Sequence, residues 1–137
     1  MTVTVPAQTD ELRVVTTPPT TTDAQLILQL MQVSAATGAD AGWQLLNTFE
    51  TPPTRTQLER KFPRDSEEYR QITAFLAQNE TMATFVRQGI LSETLVNDVF
   101  WVKGAWAKAE KICKAARKET GEPRIMENFE WLANRAF

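Results

Sequence analysis

Residues 89–137 have the sequence GILSETLVNDVFWVKGAWAKAEKICKAARKETGEPRIMENFEWLANRAF, which holds three of the four tryptophans and most of the lysines of the chain. Two helical patterns lie in this stretch, and Gly121-Glu122-Pro123 separates them. A glycine just after one helix and a proline at the start of the next are typical of such a junction. The stretch has no reactive cluster of side chains, so it predicts the architecture of the chain and leaves its chemistry open.

The first helical pattern begins at Ser92, a typical N-cap residue, and continues to residue 119. Residues that recur every three or four positions define one inward face along it: Leu95, Val99, Val102, Trp106, Ala109, Cys113 and Ala116. The first half of this helix is apolar on its other sides as well. There Val96, Phe100 and Trp101 either pack under another helix or form a surface for a partner, including a second copy of the chain.

The rest of the chain contains further helical patterns. We expect helices at residues 24–36, capped by Thr22-Asp23, and at residues 40–50, or one helix bent at Gly38 and Gly42, followed by helices at 54–62, 65–89 and 124–135. Asp65 and Glu68 form a predicted capping box at the start of the longest of these. No segment has the sustained alternation that is typical of a strand. The sequence therefore predicts an all-α, single-domain bundle of about five helices over residues 23–137.

Residues 1–22 form a Thr/Pro-rich arm that contains eight threonines and three prolines. This composition closes few helical hydrogen bonds and supplies no core, so we expect the arm to be disordered or extended. Its few apolar residues alternate weakly, which leaves open a short strand or a contact with a partner.

Charge and hydropathy set limits on the partners and the location of the protein. The net charge is −2 and the pI is about 5.2, so no overall positive field attracts nucleic acid or acidic lipid. Gln29 interrupts the longest apolar stretch, residues 26–31, and no signal-peptide pattern is present. The single cysteine, Cys113, excludes an internal disulfide. We expect a soluble, cytoplasmic protein without a membrane partner.

The absence of histidine from the sequence removes many familiar chemistries. Ser-His and Cys-His nucleophile pairs, His-containing zinc sites and the Glu-x-x-His ligands of di-iron bundles are all excluded. The five glycines are scattered, so no phosphate-binding loop exists. Because Cys113 falls on the inward face of its helix, it is predicted to be a buried structural thiol. The sequence predicts no catalytic residue, no metal ligand and no cofactor.

Two carboxylates allow competing interpretations. Glu80 lies near the apolar face of its helix, and Glu130 stands between Phe129 and Trp131. A pair of carboxylates facing a cleft would suit a glycosidase-like hydrolase. Alternatively, Arg117 at the edge of its own apolar face pairs with Glu80, Glu130 or both. We favour the structural Glu80–Arg117–Glu130 ion network, in which loss of one partner leaves a buried charge uncompensated.

A lysine face is predicted on the second half of the helix that begins at Ser92. Its members are Lys103, Lys108, Lys111, Lys114 and Lys118. Together with Trp101 for stacking, they are suitable for contacts with the phosphates of nucleic acid. However, Glu110 and Glu119 dilute the charge and no helix-turn-helix signature is present, so a solvated face is the simpler interpretation.

A set of ordered residues in the C-terminal half resembles a known family. These residues are Glu80, Val86-Arg87-Gln88-Gly89-Ile90-Leu91, Leu95, Phe100, Trp106, Ile112, Arg117 and Asn128-Phe129-Glu130-Trp131-Leu132. The pattern of a Glu, a Gly-Ile turn, a Trp, an Arg and Phe-Glu-x-Leu is similar to that of an uncharacterised bacterial family of helical domains of unknown function. Members often carry a membrane-anchoring helix ahead of the domain, where this chain has its Thr/Pro arm. The family has no established activity, so the resemblance implies a fold only.

From the sequence we expect a non-enzymatic interaction or accessory domain that binds a protein partner or forms a homodimer. The alternative is a nucleic-acid-binding protein that uses the lysine face.

Overall fold

The computed structural model describes residues 17–136, which form seven α-helices and no strand. The helices are α1 (Thr21–Thr37), α2 (Ala39–Leu46), α3 (Arg55–Lys61), α4 (Glu67–Arg87), α5 (Glu93–Val99), α6 (Val102–Thr120) and α7 (Glu127–Arg135). The all-α prediction is confirmed, but the predicted number of about five helices is too low. The predictions for residues 1–16 of the arm lie outside the described residues.

Two interruptions account for the higher number of helices. Gly38, in the left-handed conformation with φ of 82°, ends α1 and precedes α2, so the alternative of one bent helix is wrong. The helix predicted over residues 92–119 is also divided. Phe100 adopts an extended conformation between α5 and α6, which allows Val96 and Val102 on either side of the break to be buried together.

Several predicted helix starts are displaced by a few residues. The N-cap of α1 is Thr20, so residues 21 and 22 belong to the helix rather than to the arm. Ser66 caps α4 by accepting a hydrogen bond from the Tyr69 N–H, and Asp65 lies outside the helix. The last helix begins at Glu127 instead of residue 124, because Met126 has a left-handed backbone with φ of 58°. The hydrogen bonds made by the N-cap side chains of Thr20 and Ser66 determine where α1 and α4 begin.

The longest helix, α4, lies at the centre of the fold and packs against α1, α2 and α7. Helix α6 packs against α7, α3 and α2. Two aromatic contacts mark the core: Trp43 stacks on Phe75 with a centroid distance of 5.2 Å, and Trp106 meets the fully buried Phe129 edge-on at 5.1 Å. The predicted inward position of Trp106 is confirmed.

An ion cluster ties α3 to the end of α6. Arg55 pairs with Glu59 at 3.0 Å and with Glu119 at 2.7 Å, and Arg64 pairs with Glu59 at 2.7 Å and with Glu119 at 3.3 Å. Sequence analysis missed this cluster because its members come from two helices, α3 and α6, and from the loop after α3. The cluster fixes the short helix α3 on the bundle.

Between residues 17 and 136, no helix is both long enough and apolar enough to cross a membrane. A cytoplasmic location stays a prediction.

The buried carboxylate of Asp23 joins the starts of two helices. It accepts hydrogen bonds from the Thr20 N–H at 2.8 Å and from the Thr20 hydroxyl at 3.0 Å. The first of these bonds and the bond from the Asp23 N–H to the Thr20 hydroxyl oxygen, at 3.2 Å, form the capping box of α1. It also accepts from the N–H of Ser92, the N-cap of α5, at 3.0 Å. The backbone N–H of Thr20 is the main cause of a lowered pKa for Asp23; burial opposes it, and the Thr20 hydroxyl and the Ser92 N–H assist it.

This arrangement predicts a pH-dependent stability. Because the folded-state pKa of Asp23 is below its ordinary value of 3.8, its carboxylate stabilises the fold above about pH 4 and loses this effect as the pH falls through the folded-state value. We expect Asp23→Asn to be less stable than wild type at neutral pH, with the difference narrowing below about pH 4. Urea unfolding monitored by tryptophan fluorescence measures this. Asp98 is exposed, so Asp98→Asn serves as the control. The role assigned to Asp23 would be contradicted if the stability difference between Asp23→Asn and wild type did not depend on pH, or if Asp98→Asn showed an equally large difference.

Candidate functional site

The structure brings Arg117 and Glu130 together. Nη1 of Arg117 lies 2.7 Å from Oε1 of Glu130, and Nε donates to the carbonyl of Ile125 at 2.8 Å. The guanidinium also lies over the ring of Trp106, 5.8 Å from its centroid. Arg117 therefore fixes the turn before α7, and α7 itself, against α6.

Glu80 is not part of this ion pair, which corrects the predicted three-residue network. Its Oε1 accepts the backbone N–H of Phe129 at 2.8 Å, and its Oε2 accepts from Nδ2 of Asn128 at 2.9 Å. No side chain within α7 caps the start of that helix. The carboxylate of α4 consequently acts as a long-range N-cap for α7, where a negative charge suits the helix dipole.

Two further contacts hold α7. The guanidinium groups of Arg87 and Arg135 both lie over the ring of Trp131, at 5.2 and 4.9 Å from its centroid. Arg135 also forms a two-pronged pair with Glu93 of α5, with both distances at 3.0 Å. Glu80, Arg87 and Arg117 of the C-terminal pattern thus attach α7 to α4 and α6, and the Arg135–Glu93 pair attaches it to α5.

The thiol of Cys113 is buried, as predicted. Burial raises its pKa to about 12, and the nearby Arg117 guanidinium offsets this only in part. A thiol with such a pKa is almost entirely protonated at neutral pH, so Cys113 is poorly suited to act as a nucleophile.

The five lysines of the predicted nucleic-acid face do not form one free surface. Lys108 donates to the carbonyl of Phe49, and Lys114 pairs with Glu110 at 2.7 Å. Lys103, Lys111 and Lys118 are exposed and have no carboxylate partner among the described residues. Three cations spread along a helix are a weak basis for phosphate binding.

The three residues of the predicted partner surface differ in exposure. Val96 is 0% exposed and belongs to the core, so it cannot contact a partner. Phe100 is partly buried against the core, whereas Trp101 is 73% exposed. The interpretation that the trio forms a surface is therefore wrong for Val96.

The exposed indole of Trp101 is positioned by Gly104. A Cβ atom at residue 104 would lie 2.2 Å from the Trp101 ring, so the absence of a side chain allows the indole to lie directly against the first turn of α6. This contact holds a large apolar group at the junction between α5 and α6. A single exposed apolar residue is common, whereas a contiguous exposed apolar patch marks an interaction site.

Next to Trp101 the surface opens into a cleft of about 380 Å³ between α1, α2, α4 and the α5–α6 junction. We call it the Trp101 cleft. Its apolar walls include Met31, Trp43, Phe75, Met82, Phe100 and Trp101. Met31 and Val99 at its edge are 47% and 43% exposed. The cleft has the size and the mainly apolar lining of a binding pocket, and neither Glu80 nor Glu130 lines it.

Sequence analysis missed most of this cleft, because its walls come from four separate parts of the chain. One signal was available. Helix α1 lies on the surface, yet Asp23 is its only charged residue. Surface helices normally carry charged residues on their outer face, so an uncharged one indicates a surface that is covered by something else.

No curated protein and no solved structure matches the chain. A family model matches residues 19–136, which include all seven helices. This match confirms the resemblance that the residues from Glu80 to Leu132 indicated. The chain belongs to the family described as Domain of unknown function (DUF4760).

Proposed function

We propose that this domain is a non-enzymatic interaction module that binds an extended segment of a partner protein in the Trp101 cleft. The observation that carries the proposal is the 73% exposed Trp101, held by Gly104 beside a cleft of about 380 Å³. Tryptophan is enriched among the residues that dominate binding energy at interfaces. Met31 and Val99 extend the exposed apolar area around it.

The chemistry of the remaining candidates supports an interaction role over catalysis. The carboxylates of Glu80 and Glu130 are engaged in a helix cap and an ion pair, and the Cys113 thiol is buried with a raised pKa. A hydrolase that uses two carboxylates needs them in an open cleft. The groups that do line the cleft are mainly apolar, which suits binding.

Nucleic-acid binding through the lysine face is the second candidate. The basic depression formed by Lys114, Arg117 and Lys118 favours it. We rank it lower because Lys114 and Arg117 already pair with Glu110 and Glu130. The depression also lies at the C-terminal end of α6, where the helix dipole repels phosphate. Salt-dependent retention on DNA that Lys111→Glu and Lys114→Glu abolish would support this candidate instead.

A selection from a random peptide display library against the full chain tests the proposal. We expect enriched peptides that carry an apolar anchor and that bind Trp101→Ala about tenfold more weakly than wild type. Ile90→Ala is the matched control, because Ile90 is 56% exposed and lies in the turn after α4, outside the cleft. Peptides that bind Trp101→Ala as well as wild type would overturn the proposal, and so would a selection that enriches none. Light scattering of the free chain shows whether a second copy occupies the surface instead.

A further inference from the structure

We propose that the Trp101 cleft recognises a basic side chain, arginine or lysine, next to an apolar residue of the bound segment. This inference rests on the proposed function and names the chemistry of its ligand. It follows from the hydrogen-bonding groups of the cleft, from its charge and from its aromatic walls.

The first argument comes from two side-chain amides, of which Asn79 is buried and Gln78 is half-buried. Asn79 is only 7% exposed and lines the cleft, and its Nδ2 donates to the Phe75 carbonyl at 2.9 Å. Of the two ends of the amide, only the NH₂ can donate to a carbonyl, so this bond fixes the orientation of the amide. The other end, Oδ1, is left as a hydrogen-bond acceptor. Within residues 17–136, nothing donates a hydrogen bond to that oxygen. Gln78 has the same arrangement. Its Nε2 donates to the Leu30 carbonyl at 2.7 Å, and its Oε1 is left as a hydrogen-bond acceptor.

The second argument comes from charge. Among the described residues, Asp40 is the only charged residue that lines the cleft, and it is exposed. One of its oxygens, Oδ1, accepts from the Ala41 N–H at 2.9 Å, and Oδ2 receives no hydrogen bond from the described residues. Ser34 also lines the cleft, and its hydroxyl serves as donor or acceptor. The polar lining therefore includes one negative charge, two amide acceptors and one hydroxyl, which match a ligand that donates hydrogen bonds and is positively charged.

The third argument comes from the walls. Trp43 and Phe75 stack on each other at 5.2 Å, and Phe100 and Trp101 come from the α5–α6 junction. The faces of aromatic rings attract guanidinium and ammonium groups, and tryptophan does so most strongly. The ring faces repel a carboxylate for the same reason. Aromatic walls together with Asp40 thus select a cation that has an apolar neighbour to fill the remaining volume.

Titration of the full, ¹⁵N-labelled chain with three dipeptides tests this selection. The probes are acetyl-Phe-Arg-amide, its neutral analogue with citrulline, and acetyl-Phe-Glu-amide. Citrulline keeps the shape of arginine and removes the charge. We expect the Phe-Arg probe to shift the indole N–H signals of Trp43 and Trp101 and to bind about tenfold more tightly than the citrulline probe. The Phe-Glu probe is expected to bind most weakly.

Asp40→Asn tests the source of the preference, since the variant keeps the acceptor for the Ala41 N–H and removes the charge. We expect it to reduce the preference for Phe-Arg to about threefold or less. The exposed Asp65 lies outside the cleft, so Asp65→Asn makes the same change in net charge and should retain the full preference.

The outcomes separate the two proposals. Recognition of a basic side chain is overturned if the Phe-Arg and citrulline probes bind equally. It is also overturned if no probe binds and the display-selected peptides lack basic residues. In both cases the interaction role stands. If the selected peptides bind independently of Trp101, the interaction role at this cleft fails as well. Enrichment of arginine or lysine beside an apolar residue, together with the Asp40 effect, supports both.

Discussion

Replacing Gly42 with alanine is expected to lower the free energy of unfolding by about 3 kcal/mol. Gly42 is buried in α2 where this helix crosses α4, and α2 and α4 make the most extensive contact of any helix pair described. A Cβ atom there would lie 2.0 Å from the backbone oxygen of Gln71 and 2.9 Å from the backbone nitrogen of Ile72. Backbone atoms of a central helix cannot rotate away, so α2 must move outward.

That movement affects the whole contact between the two helices. It separates Trp43 from Phe75 and opens space around the fully buried Leu46 and Ile72. Close-packed interiors tolerate such shifts poorly. The higher helix propensity of alanine returns only about 1 kcal/mol. Equilibrium unfolding in urea, followed by circular dichroism, measures the net loss.

Gly104→Ala is the matched control, since it makes the same substitution in another buried helical glycine. A Cβ atom there would lie 2.2 Å from the Trp101 side chain. Because this side chain is 73% exposed, it can turn away into solvent in the variant. We expect a change in stability within about 1 kcal/mol. Equal losses in the two variants would show that the close approach of α2 and α4 is not the cause.

The features of the fold that could be predicted from sequence are those decided by local pattern. The long apolar face of α4 and the inward face of α6 follow from a helical period sustained over many residues. The break at Phe100 could not be predicted, because neither glycine nor proline marks it. It arises where the buried Val96 and Val102 both need to face the core, which is a requirement of packing between helices.

Side chains that act over long sequence distances explain the errors at the candidate site. Arg117 and Glu130 lie at the edges of facing helices, and each edge was visible in the helical pattern. The partners of Glu80 were not visible, because they include the backbone N–H of Phe129, which has no signature in a sequence. The Trp101 cleft could not be predicted either, since its walls become neighbours only when four parts of the chain meet.

We expect Glu80→Ala to lower the free energy of unfolding by about 3 kcal/mol. The carboxylate accepts the N–H of the fully buried Phe129 at 2.8 Å and the amide of Asn128 at 2.9 Å. Removal leaves the N–H at the start of α7 without a partner, since no side chain of α7 caps this end. Glu80→Gln retains an acceptor and should cost less. Glu68→Gln, in the exposed first turn of the same helix, serves as the control and should change stability by about 0.5 kcal/mol or less.

Double-mutant cycles then distinguish this long-range cap from the three-residue ion network. Arg117 and Glu130 touch at 2.7 Å, so Arg117→Ala and Glu130→Gln should be non-additive by about 1 kcal/mol. Glu80 bonds to Asn128 and Phe129 instead, so Glu80→Gln and Arg117→Ala should add to within about 0.5 kcal/mol. A coupling between Glu80 and Arg117 as large as that between Arg117 and Glu130 would restore the network. Additivity means that α4 and α6 hold α7 independently, one through the backbone at its start and the other through the side chain of Glu130.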